Sequence, residues 1–128
     1  MVQYLISNKV DVNAEGALAV TFASSKGHMK VLEILFTQKV DIKKNRGALY
    51  LACCHGHYEI AKFLISKGAI ITNDILVIAA YNGHLEIVKY LVSRGADISH
   101  HDFYALEVAQ EKGHQEVADY LISEYIKI

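Results

Sequence analysis

Residues 76–98 read LVIAAYNGHLEIVKYLVSRGADI. Gly83-His84 divides the stretch into halves of different character. Ahead of it, bulky Leu76 and Ile78 give way to small Ala79 and Ala80. Small side chains let a second backbone approach closely, and Ala favours helix. Behind it, Ile87-Val88 and Leu91-Val92 fall at i, i+1, i+4, i+5, with Glu86 and Lys89 between them. That spacing draws one apolar stripe and one charged face on a helix. A glycine between two helices ends the first in a left-handed conformation without a Cβ penalty. Gly95-Ala96 marks a second such turn.

The same design recurs along the chain. Gly-His stands at Gly27-His28, Gly56-His57, Gly83-His84 and Gly113-His114, at intervals of 29, 27 and 30 residues. Seven positions before each Gly stand Val20, Leu49, Leu76 and Leu106, and five before it Phe22, Leu51, Ile78 and Val108. Four before it is always Ala: Ala23, Ala52, Ala79 and Ala109. Three before it are Ser24, Cys53, Ala80 and Gln110. The later stripe repeats as Val31-Leu32/Leu35-Phe36, Ile60-Ala61/Leu64-Ile65 and Val117-Ala118/Leu121-Ile122. A fixed period of this length is the signature of stacked helix pairs, each covered by its neighbours. The units run over about 14–43, 44–72, 73–99 and 100–128. Val2–Ser7 matches Val88–Ser93, so residues 1–13 read as the second half of a repeat and point to a fragment of a longer array. Glu124-Tyr125 replaces the Gly-Ala turn, which reads as a terminus.

The bulk properties narrow the function. A chain of 128 residues with 52% hydrophobic and 21% charged residues is a folded domain, not a disordered one. A net charge of −1 argues against nucleic-acid and membrane-surface roles, which show basic excess. Cys53 and Cys54 are adjacent and ill-placed to pair, so they read as reduced thiols of the cytoplasm or nucleus. No secretory signal or membrane-spanning run is apparent. Proline is absent, so other residues must mark the boundaries.

Helix pairs ending in Gly-Ala-Asp-Ile, joined by Ala-x-x-x-Gly-His, resemble ankyrin repeats over the whole chain. The resemblance implies an all-α solenoid with shortened connecting loops, first helices on the concave side and second helices outside. The family's Thr-Pro-Leu-His start is missing. Its Thr-Pro slots hold Leu18-Ala19, Gly47-Ala48, Asp74-Ile75 and Tyr104-Ala105. Its His slot holds Thr21, Tyr50, Val77 and Glu107. Asp74, Asn45 and Asp102 are placed to cap their helices instead. Units shorter than the usual ~33 residues imply that the projecting fingers are clipped. Proline-free arrays of this look are similar to ankyrin proteins of giant DNA viruses.

The resemblance also implies a protein-interaction module, without catalysis or cofactor, working as a monomer or as part of a longer array. Binding in the family uses connector tips and the two residues before Gly-His. Those pairs are Ser25-Lys26, Cys54-His55, Tyr81-Asn82 and Glu111-Lys112, and the tips are Ala17, Arg46, Asn73 and Phe103. Tyr81, Arg46 and Phe103 are the expected hot spots, since aromatics and Arg dominate binding energy.

Other clusters have plainer readings. The Gly-His imidazoles, on units stacked ~10 Å apart, do not converge at the ~2 Å bonds of a zinc site, so each is read as capping its turn. Cys53-Cys54-His55-Gly56-His57 lacks a second cysteine pair, and Cys53 fits a core slot. His100-His101-Asp102 reads as a solvated loop. Lys39, Lys43, Lys44 and Arg46 read equally as a landing site for an acidic partner or as a solvated connector. No nucleophile elbow or phosphate loop appears. Two alternatives remain: a scaffold piece of a larger protein, and a metal- or pH-responsive sensor built on His55, His57, His100 and His101.

Overall fold

The computed structural model describes residues 16–38, 40, 42 and 46–127. Among them the chain is all-α, with no strand. The helices are α1 (Gly16–Lys26), α2 (Met29–Leu35), α3 (Arg46–Cys54), α4 (Tyr58–Ser66), α5 (Asn73–Tyr81), α6 (Leu85–Ser93), α7 (His100–Glu111) and α8 (Gln115–Ile126). They pair across each Gly-His as the sequence predicts. The half repeat read over residues 1–13 and the Asn45 cap lie outside the described residues.

The chain forms two compact units, divided after Ile70. In the first, α1 lies against α3, and each packs on its own second helix, α2 or α4. In the second, α5 lies against α7, with α6 and α8 as their partners and in contact with each other.

Each first helix ends by one mechanism. The His N–H reaches back to the carbonyl of the invariant Ala: His57 to Ala52 at 2.8 Å, His84 to Ala79 at 3.0 Å, His114 to Ala109 at 2.8 Å. This is the six-to-one bond of a Schellman turn, which requires the intervening glycine to be left-handed. Gly83 and Gly113 have φ of 74° and 76°. Ala23, Ala52, Ala79 and Ala109 are fully buried, so the slot takes only a methyl group. The second turns work alike, with Ala69 N–H on Leu64 and Ala96 N–H on Leu91, both at 3.0 Å. The helix pairing puts the last Gly-Ala slot one residue later than Glu124-Tyr125, at Tyr125-Ile126, twelve after Gly113 as Gly95 is twelve after Gly83. With Tyr there the left-handed turn is unfavourable and α8 continues to Ile126.

The core follows the repeat. Leu32, Leu35, Ile60, Ala61, Leu64, Ile65, Ile87, Val88, Leu91, Val117, Ala118 and Leu121 are all buried. Ile42 and Ile98 close it from the connectors. The first-helix pattern has two exceptions: Phe22, in a slot otherwise filled by partly or fully buried side chains, and Gln110, in the slot where Ser24, Cys53 and Ala80 are buried, are exposed. Ser24 is buried, and its hydroxyl finds no hydrogen-bond partner among the described residues.

The histidines do more than close turns. His28, His57, His84 and His114 sit at helix N-caps, yet none caps through its side chain. His57 Nε2 instead lies 2.9 Å from the Ser25 carbonyl of the preceding repeat. His114 Nε2 lies 3.0 Å from the Tyr81 carbonyl. A carbonyl only accepts, so Nε2 carries the proton in both. Each imidazole ties its own turn to the C-terminal end of the previous repeat's first helix. Its seat is the face of a glycine: a Cβ on Gly83 would lie 2.5 Å from His114 Nδ1, and one on Gly27 would lie 2.8 Å from His57 Cε1.

The missing Thr and His of the family's helix start have no single replacement. Thr72 is the N-cap of α5 and makes no side-chain cap bond. Asp74 lies in the first turn of α5 rather than at its cap. There its charge favours the helix N-terminus. Asp102 does not cap either, because His101, Asp102 and Phe103 form a left-handed turn with φ of 50°, 55° and 65°. This turn explains the uneven repeat length. Asp74 stands six residues after Gly68, and its counterpart Tyr104 stands nine after Gly95. The three residues that separate the 30-residue interval from the 27-residue one are those in the left-handed turn. Asp97 anchors the approach to it, accepting from Ser99 Oγ at 2.7 Å and Ser99 N–H at 3.0 Å. These bonds, the hydroxyl's first, hold the Asp97 carboxyl below its ordinary range.

Gly83→Ala should destabilise the chain by about 2–3 kcal/mol, from left-handed strain plus loss of the His114 bond. Gly113→Ala, with nothing within 4 Å of the added methyl, should cost only the strain, about 1–2 kcal/mol. Urea unfolding of the two variants side by side checks the difference. Ser24→Ala should raise stability by about 1 kcal/mol in the same assay, because it removes an unpartnered buried hydroxyl.

Candidate protein-interaction surface

The two positions before each Gly-His lie where a first helix runs out, just ahead of the Schellman turn. Lys26, His55, Tyr81, Glu111 and Lys112 are exposed, and Ser25, Cys54 and Asn82 are half-buried. Asn82 Nδ2 donates to the Ile78 carbonyl at 3.0 Å, which also accepts the Asn82 backbone N–H at 3.1 Å. Ser25 contributes its carbonyl to the His57 bond. His55 lies beside His57, with ring centroids 6.2 Å apart.

In the second unit these slots combine across repeats. Lys112 Nζ lies 4.7 Å from the centroid of the Tyr81 ring, although 31 positions separate the two residues. The His114 bond to the Tyr81 carbonyl holds the two helix ends in register. An aromatic face, a cation and the neighbouring Glu111 therefore share one exposed patch.

The tip residues behave differently. Arg46 opens α3, and Ala17 lies in the first turn of α1. Asn73 Nδ2 lies 3.1 Å from His100 Nδ1, so the amide side chain links two consecutive connectors. Phe103 is half-buried, with its ring edge-on to Tyr125 at 4.7 Å. It sits at the opposite end of α7 from Glu111, roughly 12 Å along the axis. The geometry thus does not join the tip residue Phe103 to the Tyr81–Lys112 patch.

Three aromatics were not among the expected contacts. Phe22, Tyr50 and Tyr104 are 58%, 41% and 44% exposed, comparable with 41% for Tyr81. The signal for Tyr50 was present: its slot also takes Thr21 and Glu107, and a slot that accepts Glu faces solvent. Tyr104 occupies the slot that holds Gly47 and Asp74 elsewhere.

The remaining clusters show ordinary chemistry. Among the described residues no three His, Cys, Asp or Glu side chains gather as metal ligands. The His100 and His101 rings lie 4.0 Å apart, tilted by 51°. Cys53 is fully buried. That burial, with the adjacent Cys54 adding to it, pushes its thiol up to about 12. No helix among the described residues is long and apolar enough to cross a membrane.

A family model for ankyrin repeats, three copies long, matches residues 1–75 and again 71–128. The chain belongs to the ankyrin repeat family. Ankyrin repeats are generally protein–protein interaction modules and typically non-enzymatic. Over 74 residues the chain is 40% identical to an ankyrin repeat and KH domain-containing protein of Caenorhabditis briggsae, a match covering 51% of this chain and 3% of that protein.

The burial of Cys53 has a measurable consequence. Near pH 8 only about one in ten thousand of its thiols is ionised, against roughly a quarter for an ordinary cysteine. Iodoacetamide should therefore label Cys53 orders of magnitude more slowly in the folded chain than in guanidinium, as read by peptide mass spectrometry.

Proposed function

We propose that this ankyrin array recognises a partner protein through the exposed ends of its first helices. The Tyr81–Lys112 contact carries the reading. It places an aromatic ring and a cation together at slots where the fold itself imposes no chemistry. A Tyr ring at a rigid helix end loses little freedom on binding, which suits it as an anchor. The varied pairs Ser25-Lys26, Cys54-His55, Tyr81-Asn82 and Glu111-Lys112 supply specificity, while the Gly-His turns keep them at fixed intervals. Arg46 and the connector tips add contacts at the other end of the helices. Monomeric action and an intracellular setting accompany this reading.

A second reading is favoured by the 3% coverage of the nematode protein. On it, the array is one segment of a larger chain and holds other domains in place.

Tyr81→Ala should weaken binding of peptides selected against the full chain by about tenfold or more, the scale of an aromatic hot spot. Fluorescence polarisation gives the affinity, and circular dichroism should show unchanged helicity. An affinity equal to that of the parent chain would remove Tyr81 from the surface.

A further inference from the structure

The first helices of the two units differ in charge. Neither α1 (GALAVTFASSK) nor α3 (RGALYLACC) contains an acidic residue. Neither α5 (NDILVIAAY) nor α7 (HHDFYALEVAQE) contains Lys or Arg, and they hold Asp74, Asp102, Glu107 and Glu111. All of these carboxylates are exposed.

Their placement follows the helices. Tyr104, Glu107 and Glu111 stand at i, i+3 and i+7 on α7, so they share one face. Ala105, Val108 and Ala109 form its buried side. On α5, Asp74 and Tyr81 stand at i and i+7, again on one exposed face. α5 and α7 pack against each other within this unit. Glu107 and Glu111, four apart, repel one another, an arrangement that does nothing for the helix. The ion pairs among the described residues, Lys30–Glu33 and Lys127–Glu124, involve none of these carboxylates. Lys112, next to Glu111 in sequence, lies over the Tyr81 ring.

We infer that the α5–α7 face is a docking strip for a cationic segment of a protein partner. The inference rests on the reading that first-helix surfaces are where partners land, and it adds the partner's chemistry. Lys or Arg heads meet Glu107, Glu111 and Asp74. Tyr81 and Tyr104 take the aliphatic stems and guanidinium planes, which stack on aromatic faces. Lys112 already demonstrates this contact from within the chain. The same charge repels nucleic-acid phosphates.

The test is a phage-displayed library of random peptides, about a dozen residues long, panned against the full chain. Binders should be enriched in Lys and Arg. The double variant E107Q/E111Q should weaken them by about tenfold and flatten their salt dependence. Tyr104→Ala should weaken them severalfold, and Glu86→Gln, on the second helix α6, should leave them unchanged. Circular dichroism confirms that each variant is folded. Neutral or acidic binders released by Tyr81→Ala would overturn the cationic preference and leave the interaction surface standing. Cationic binders weakened equally by Glu86→Gln would overturn the α5–α7 location. Binders indifferent to Tyr81, Tyr104, Glu107 and Glu111 alike would overturn both. Self-association of the chain that E107Q/E111Q abolishes would overturn the partner assignment in favour of a second copy.

Discussion

An imidazole seated against a glycine is the contact on which these repeats depend. The glycine closes one helix pair because its backbone can turn left-handed. Because it also lacks a side chain, it leaves a face for the next repeat's histidine. In the second unit Gly83 provides the turn, His114 fills the face, and Nε2 reaches the Tyr81 carbonyl two residues before that turn. One missing methyl thus serves the fold within a repeat and the stacking between repeats. Such stacking terms make up much of the stability of a repeat array, because each unit's apolar face is covered only by its neighbours.

This coupling bears on the positions proposed for partner binding. The residues just before the turn have a backbone held from both sides, by the Schellman bonds and by the incoming imidazole. Most of their side chains are exposed. Rigid backbone with unconstrained side chains is the condition under which a surface can vary in chemistry while keeping its geometry. The contrast between the acid-free α1 and α3 and the base-free α5 and α7 shows such variation within one chain.

Most of the architecture was legible in the sequence, because it rests on local rules. Ala four before Gly, the doubled apolar stripe and Gly-Ala at the second turn each report a constraint acting within a few residues. Three features were not legible. The reach of His57 and His114 into the preceding repeat joins residues 32 and 33 positions apart. A helix-cap reading, confined to its own turn, does not extend that far. The packing of Phe103 was also hidden. Its ring lies edge-on to Tyr125, where the last helix has outrun its expected turn, a contact that its tip slot does not announce. The exposed Phe22 belongs to the same class: its slot is apolar throughout, and only the packing shows that this copy faces outward.

The left-handed turn at His101–Phe103 has a meaning for how such chains change over time. It holds three additional residues, yet the bonds on either side survive: Ala96 still closes on Leu91, and His114 still reaches Tyr81. The connector therefore works as an expansion joint. Length added there is taken up by local winding and is not passed to the helix ladder. A change of length there can leave α5 and α7 in register with each other and with their second helices.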